Sequence, residues 1–358
     1  MPSNKTVPPK PPKQLPPLAL TGISVGLIVV SLLVFALFDH VIPQYEEAAV
    51  YVPPTAQSVE TAYVQEETTS QDDAEAPAET EAEAQAEVEE APAEKPAAVG
   101  DFSDKFADKF TDGEIIATDT SYQSANVNVT LIKKKGKVGD YEQVCFIEDI
   151  YIRNIDCLRT VLAKDSFGRS LTEDAVSMSK RASAICAINS DFYSFGSAGI
   201  VIRNGMLYRD RYQTGEDVLV IFRDGTMRTY SKASQMDLEK LMEEGAWQGF
   251  SFGPSLLDEN GELRKHYKQA IHDPRTLIGM IEPGHYLFIV VDGRQNGYSE
   301  GLNYYECAQL AKELGCKVAF NLDGGKTSQI LFGNKVVNRP YKGGRDTSDL
   351  ICIADITR

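Results

Sequence analysis

The sequence lacks several features that would assign it to common classes of protein. Its six cysteines include no C-x-x-C pair, which argues against a zinc site. Its acidic residues show no EF-hand spacing. Residues 46–94 contain no lysine or arginine but hold 15 of the 52 acidic residues, which leaves 37 acids against 36 bases elsewhere. The net charge of −16 therefore belongs to one segment, and the balance of the rest gives no support to nucleic-acid binding.

Charge is also absent from residues 18–38, and this absence predicts a membrane-spanning helix. At about 1.5 Å per residue the run reaches roughly 30 Å, the thickness of a bilayer core. Three lysines precede the run, which predicts that residues 1–17 form a cytoplasmic tail. A cleaved signal peptide is the alternative, although the run is long for one. We therefore expect a single-pass cell-membrane protein whose C-terminal domain is extracytoplasmic.

Residues 39–110 are rich in Ala, Glu and Pro and contain few large apolar side chains. Such a segment buries too little apolar surface to offset its chain entropy, and its like charges repel one another. We predict a disordered acidic stalk that separates the membrane from the domain. The repeated Glu-Ala pairs leave a helical spacer open as the alternative.

The cysteines all follow the predicted membrane span. An even number of cysteines in an oxidising compartment permits up to three disulfides. We expect at least one disulfide, and the sequence leaves its pairing open.

Residues 111–358 have a globular composition, and their pattern favours strands over helices. Alternating or continuous apolar residues predict the longer strands at 127–132, 142–152, 185–189, 276–281, 286–291 and 318–322. Asn204-Gly205 and Asp224-Gly225 predict hairpin turns. Helices are expected at residues 172–184, 237–244 and 305–314. The predicted fold class is α+β, a mixed β-sheet with flanking helices.

Polar clusters recur where apolar strands should end. They cover residues 189–193, 272–276, 292–294 and 321–328. In the last cluster Asp323 ends a strand and is followed by Gly324 and Gly325, which allow positive φ and close approach of a ligand. An acid placed there is typical of a site built at the edge of a sheet. An ordinary polar turn is the alternative for any one cluster.

The ordered series of motifs resembles the phosphodiester glycosidase family. The motifs are NSDFY (189–193), GIVIRNG (199–205), SFGPSLLDENG (251–261), DPRTLIG (273–279), VVDGRQNGYS (290–299) and NLDGGKTSQ (321–329). The resemblance is strongest over residues 183–356. It implies a hydrolase that cleaves sugar-1-phosphodiester bonds in a surface glycan or glycoconjugate. The chain departs from the family pattern at Ser190, in place of a glycine, and at Lys326 and Thr327, in place of a glycine and a serine.

Hydrolysis at an anomeric carbon passes through an oxocarbenium-like state that carboxylates stabilise. We assign this role to Asp323, Asp191 and Asp292. The phosphate needs cations and N–H donors, and Arg275 is the predicted bidentate clamp. The other predicted substrate ligands are Asn189, Gly324, Gly325, Lys326, Thr327, Ser328 and Arg345. An ion pair with Asp273 is the alternative for Arg275, and a turn-shaping role is the alternative for Asp292.

This chemistry requires no cofactor. The three aspartates could nevertheless hold a divalent cation together through their oxygens, so metal dependence stays open. One alternative function is a non-catalytic module that binds anionic envelope polysaccharide, with Lys326 marking lost catalysis. Another is a metal-dependent phosphodiesterase that cleaves P–O. The sequence does not identify the sugar or the oligomeric state.

Overall fold

The computed structural model describes residues 28–35, 44–45, 100–212, 215–231, 236–267 and 271–356. Residues 28–35 are helical and span about 12 Å. None of the described helices is both long and apolar enough to cross a bilayer. This finding overturns the predicted transmembrane anchor at residues 18–38 and the single-pass, extracytoplasmic localisation inferred from it. The other residues of the predicted tail, anchor and stalk lie mostly outside the described residues, at 1–27, 36–43 and 46–99.

Strands dominate the described part of the chain. They are β1 (Gln44–Tyr45), β2 (Ile116–Ala117), β3 (Ser121–Gln123), β4 (Val127–Val138), β5 (Tyr141–Ile152), β6 (Leu158–Leu162), β7 (Gly168–Arg169), β8 (Ala184–Asn189), β9 (Gly199–Arg203), β10 (Met206–Arg211), β11 (Asp217–Phe222), β12 (Met227–Tyr230), β13 (Ala246–Phe252), β14 (Arg275–Glu282), β15 (His285–Val291), β16 (Val318–Asn321), β17 (Ile330–Phe332), β18 (Lys335–Val336) and β19 (Asp349–Ala354).

The described strands pair only in antiparallel fashion. The predicted α+β fold with a mixed sheet is therefore wrong, and the domain is mostly β. Short turns join β4 to β5, β9 to β10 and β14 to β15, and such turns reverse the chain. Parallel pairing would need crossover connections of a dozen or more residues. The predicted hairpin turn at Asn204 and Gly205 is confirmed by their φ values of 53° and 79°.

Three sheets surround one apolar core. Their strand orders are β16-β14-β15-β5-β4-β3-β2, β18-β17-β8-β19-β6 and β10-β9-β13-β11-β12. The core combines Phe146 and Phe288 from the first sheet, Ile188 and Ile351 from the second, and Phe250 from the third. Because each sheet presents one face to the same core, the ends of strands from different sheets meet.

Three α-helices cover outer faces of these sheets. They are α1 (Ala175–Arg181), α2 (Leu238–Glu243) and α3 (Tyr304–Glu313). Helix α1 packs Met178 into the cluster that contains Leu350 of β19, and α3 packs Ala308 into the cluster that contains Leu287 of β15. Short 3-10 turns lie at Ala107–Lys109, Ile155–Cys157, Ala163–Asp165, Tyr193–Phe195, Gly325–Thr327 and Tyr341–Gly343.

Residues 100–110, which we predicted to be part of the stalk, pack against the domain. Phe102 and Phe106 are buried in the main core, and the Phe102 N–H donates to Arg153 O at 2.7 Å. The boundary predicted at residue 110 therefore lies too late in the sequence.

The six cysteines are all free and buried, so the predicted disulfide is not formed. Their side chains are divided among separate apolar clusters, with Cys186 in the main core, Cys307 on the buried face of α3 and Cys352 beside α1. They behave as small apolar residues.

Candidate active site

The candidate site lies at the seam between two sheets, where β8 and β16 end. The Asp323 N–H donates to Ser190 O at 3.1 Å, and Asn189 Nδ2 donates to Asp323 O at 2.7 Å. Asn189 Oδ1 also accepts from Thr276 Oγ1 at 2.8 Å and from the Gln329 N–H at 3.1 Å. The Asn189 side chain is buried and bonded to the protein. It holds the turn that carries Asp323 and does not extend into the site.

Asp323 and Arg345 form an ion pair at this seam. Arg345 Nη2 lies 2.9 Å from Asp323 Oδ2, with 39% of the arginine side chain and 12% of the aspartate side chain exposed. Arg345 Nε donates to Thr327 Oγ1 at 2.5 Å. Burial raises the pKa of Asp323, and the Thr327 hydroxyl and the Arg345 guanidinium lower it by less. The pair presents a poorly solvated carboxylate beside a partly exposed cation.

An aromatic surface lies next to this ion pair. Arg345 Cζ is 4.2 Å from the ring centroid of Phe192, and Phe192 stacks on Phe195 with centroids 3.9 Å apart. Phe195 is 52% exposed. Arginine stacks favourably on aromatic faces, so Phe192 fixes the plane of the guanidinium.

Both positions after Asp323 require glycine, Gly324 because of a close contact and Gly325 because of its φ of 66°. A Cβ on Gly324 would lie 2.7 Å from Pro274 O, so the turn is packed directly on the DPR motif. The Gly325 N–H donates to Pro274 O at 2.9 Å, and the Gly324 N–H bonds to the Asp323 carboxylate. Both N–H groups, which we predicted to bind the phosphate, therefore have partners within the protein.

A second arginine, Arg294, borders the glycine turn. A Cβ on Gly325 would lie 3.3 Å from Arg294 Nη1. Arg294 Nε donates to Asp273 Oδ1 at 2.6 Å, and 43% of its side chain is exposed. Arg294 and Arg345 therefore both contact the turn that follows Asp323, and both are accessible to a ligand.

Arg275, the predicted phosphate clamp, is buried. Its Nε donates to Leu302 O and its Nη2 to Ile271 O, both at 2.9 Å, and 5% of its side chain is exposed. Its Cζ lies 4.2 Å from the ring centroid of Tyr304. Tyr304, with Gly253, lines a cleft of about 480 Å³. Arg275 therefore supports the wall of this cleft through the Tyr304 ring.

Asp191 is also directed into the protein. Its Oδ1 is 2.7 Å from Arg203 Nη2, and Arg203 Nε is 2.7 Å from Asp349 Oδ2. At most 1% of each of these three side chains is exposed. Asp191 Oδ2 accepts from the Ser251 N–H at 3.0 Å. Burial, more than the charge of Asp191, raises the pKa of Asp349 to about 6. Asp191, Arg203 and Asp349 form a buried ionic cluster beneath the site.

Asp292 is buried and fully bonded. It accepts from Tyr298 OH at 2.9 Å, Asn338 Nδ2 at 2.8 Å and the Arg339 N–H at 3.0 Å. Burial raises its pKa, and the Arg339 N–H, Asn338 and Tyr298 oppose that rise. Asp292 therefore anchors the loop at residues 338–339.

The remaining predicted ligands differ in exposure. Lys326 is exposed and Thr327 is buried, where its hydroxyl holds Arg345. Ser328 is buried, and its Oγ has no hydrogen-bond partner within the described ranges.

Glu216, just before β11, is a carboxylate that the sequence did not indicate. It is half-buried, and burial followed by the charge of Asp191 raises its pKa to about 7. Its Oε2 lies 3.9 Å from the position of a Cβ on Gly199. Glu216 is therefore a second carboxyl group near the seam, and it is partly protonated at neutral pH.

Over the described residues, no group of three or more His, Cys, Asp or Glu side chains is arranged to hold a metal ion. The three predicted aspartates bond to different partners and do not converge on one point.

The sequence analysis missed Arg294, Phe192, Arg203 and Asp349, although the first three lie inside motifs that it identified. Only their long-range contacts show their roles. Arg203 and Asp349 are 146 residues apart.

Comparison with known proteins agrees with these motifs. Residues 182–354 match the family described as phosphodiester glycosidase. These residues form a phosphodiester glycosidase domain. It includes the Asp323–Arg345 pair, Arg294 and the buried ionic cluster.

A relative of the phosphodiester glycosidase domain is the SPbeta prophage-derived uncharacterized protein YomE of Bacillus subtilis (strain 168). The two are 34% identical over an alignment of 186 positions, which covers 49% of this chain. The chain spans 29% of the length of that relative.

Two solved structures share the fold of the phosphodiester glycosidase domain. One is the catalytic domain of zebrafish N-acetylglucosamine-1-phosphodiester alpha-N-acetylglucosaminidase, auto-inhibited by its pro-peptide. It has a TM-score of 0.53 and 16% identity, over 68% of this chain and 88% of that one. The other is a hypothetical protein from Synechocystis, with a TM-score of 0.50 and 12% identity, over 67% of this chain and 63% of that one.

Proposed function

We propose that this chain hydrolyses sugar-1-phosphodiester bonds in a glycan or glycoconjugate and releases a free sugar and a phosphomonoester. The observation that carries the proposal is the Asp323–Arg345 ion pair at 2.9 Å, with the carboxylate mostly buried and the guanidinium partly exposed. The family match supports this class of reaction. The name of the zebrafish enzyme supports a sugar-1-phosphodiester as the substrate class.

In this proposal Asp323 acts on the sugar. A water oxygen adds to the anomeric carbon, the bond from that carbon to the phosphate oxygen breaks, and the oxygen leaves with its electron pair on the phosphomonoester. The carboxylate of Asp323 stabilises the positive charge that develops on the sugar, or accepts the proton of the water. Because Asp323 is largely desolvated, its charge acts strongly on a bound sugar.

Arg345 and Arg294 act on the phosphate. Guanidinium groups suit phosphate because they offer two parallel N–H donors. A phosphomonoester is a stable leaving group, so the cations that neutralise it reduce the need for a strong general acid. Lys326 adds a third positive charge beside the same turn and restricts the space available to the substrate.

The deciding experiment supplies the full chain with a panel of sugar-1-phosphodiesters in water enriched in oxygen-18. We expect free sugar that carries the label and unlabelled phosphomonoester. Asp323→Asn should abolish turnover, while Asp346→Asn, the loss of an exposed neighbouring acid, should leave it intact.

Label in the phosphate would instead mean cleavage of the P–O bond, and loss of activity in EDTA would add support for a metal-dependent phosphodiesterase. Binding without turnover by the wild-type protein would identify a non-catalytic module.

A further inference from the structure

A row of basic side chains borders the candidate site. We define the basic strip as Arg339 and Lys342 together with Tyr298 and Tyr341, the rings that support them. Arg339 Cζ lies 5.0 Å from the ring centroid of Tyr298, and Lys342 Nζ lies 5.3 Å from that of Tyr341. Both cations are exposed. Cation–π contacts hold such side chains in place while their donors stay accessible.

The backbone under the strip is fixed by hydrogen bonds to neighbouring side chains. The Arg339 N–H donates to Asp292 Oδ2 at 3.0 Å, and Gln295 Nε2 donates to Arg339 O at 2.8 Å. At the other end, Gln329 Nε2 donates to Arg345 O at 2.9 Å. Side chains anchored on a rigid backbone lose less entropy when they bind a ligand. The fixed backbone therefore lowers the entropic cost of binding a ligand at the strip.

In the part of the chain that the structure describes, no ion pair neutralises the charges of the strip. Within the described ranges, neither Arg339 nor Lys342 forms an ion pair with a carboxylate, in contrast to Arg294 and Arg345. The exposed acid closest in sequence is Asp346. Outside residues 46–94 the chain is almost neutral, so this local excess of positive charge is not a general property of the domain.

The strip is continuous with the candidate site. Arg294 Cζ lies 5.6 Å from the ring centroid of Tyr341, and the same arginine borders Gly325. The turn Tyr341–Gly343 packs against the turn Gly325–Thr327. A ligand with one phosphate at Arg294 and Arg345 would therefore have its next anionic groups beside the strip.

We propose that the basic strip binds phosphates adjacent to the scissile one, so that the preferred substrate is a poly(sugar phosphate) chain. This inference rests on the proposed hydrolysis at Asp323. Arginine and lysine together match phosphate groups. The two rings of the strip already support cations, whereas binding of single-stranded nucleic acid relies on free ring faces for base stacking. A sugar phosphate chain therefore fits the strip better than a nucleic acid.

The test compares a single-unit hexose-1-phosphodiester with a tetramer of the same repeat. The double variant Arg339→Gln/Lys342→Gln should lower kcat/KM for the tetramer about tenfold at low salt and leave the single unit unchanged. The difference should shrink at high salt because these charges are exposed. Lys180→Gln/Lys317→Gln removes two exposed charges elsewhere and should leave both substrates unaffected.

Equal losses on both substrates, or no loss on either, would overturn the role of the strip. Competition by oligothymidylate as strong as competition by the tetramer would overturn the choice of a sugar phosphate chain.

Calorimetry separates this inference from the proposed function. Tetramer binding to Asp323→Asn should weaken when the strip is also substituted. If wild-type protein hydrolyses neither substrate but shows strip-dependent binding, the proposed function fails and the strip remains a polyanion site. If binding does not depend on the strip, the inference itself is wrong.

Discussion

Arg345 Nη2 lies 2.9 Å from Asp323 Oδ2, and the same guanidinium bonds Thr327 through Nε and covers the ring of Phe192. Three contacts thus orient one arginine beside the most accessible of the three predicted catalytic aspartates. The pair is also an electrostatic unit, because Arg345 lowers the pKa of Asp323 against the effect of burial.

Arg345→Ala should therefore change the pH dependence as well as the rate. Without the guanidinium the pKa of Asp323 rises further, so the acid limb of kcat/KM should move to higher pH. The loss of a charged donor to the phosphate should reduce kcat/KM about a hundredfold at the optimum. A pH–rate profile measures both effects. An unchanged acid limb would mean that Asp323 is not the group that must ionise.

Arg294 and Arg275 should respond differently to the same substitution. Arg294→Gln should raise KM for the phosphodiester with little change in melting temperature, because the side chain is exposed beside the turn. Arg275→Gln should instead lower the stability by about 1–3 kcal/mol, since it weakens the bonds of a buried guanidinium to two main-chain carbonyls. Steady-state kinetics and urea denaturation on both variants check this. A large KM effect confined to Arg275→Gln would restore the original assignment of the clamp.

Arg203→Met should be strongly destabilising, by about 3–5 kcal/mol, because it leaves the carboxylates of Asp191 and Asp349 buried without their cation. The deficit should shrink at lower pH, where Asp349 takes up a proton. Denaturant unfolding at several pH values measures the effect, and Arg203→Lys covers the case in which the methionine variant fails to fold. Arg159→Gln removes an exposed arginine and should cost less than about 0.5 kcal/mol. Equal stability of the methionine variant and wild type would contradict this account.

Glu148 provides a pH test of the core. It is fully buried, and within the described residues no hydrogen-bond donor lies in bonding geometry with either carboxyl oxygen. Burial raises its pKa well above the usual value. At a pH above the ordinary pKa of a glutamate, the unfolded chain has therefore released this proton while the folded protein still holds it. Stability from this group is fully present below the unfolded pKa and is lost as pH rises, by up to about 1.4 kcal/mol per pH unit.

Glu148→Gln should remove this dependence, so that the variant gains stability relative to wild type as pH rises from 5 towards 8. Urea denaturation across that range measures the slope. Cys186, whose thiol lies beside Glu148 and opposes the rise in its pKa, is kept unchanged. Parallel curves for the two proteins would show that Glu148 does not hold the proton.

Local patterns in the sequence determined much of this protein. Apolar alternation located the strands near residues 127–132, 142–152 and 318–322, and Asn-Gly located a hairpin, because side-chain period and left-handed backbone are properties of neighbouring residues. The order of the motifs was sufficient to identify the family. Local patterns did not determine how the strands pair, because many pairing partners are distant in the chain. The mixed sheet was predicted wrongly for that reason.

Only the tertiary structure decided which residues face a ligand. Asp191, Asp292 and Asp323 each follow a strand and look alike in sequence. In the folded protein Arg203 neutralises the first, Asn338 and the Arg339 N–H bond the second, and the third retains partial exposure beside Arg345. The same holds for Arg275 and Arg294, of which only the second is accessible. Burial and charge pairing depend on groups that the fold brings together from distant positions, and no local pattern encodes them.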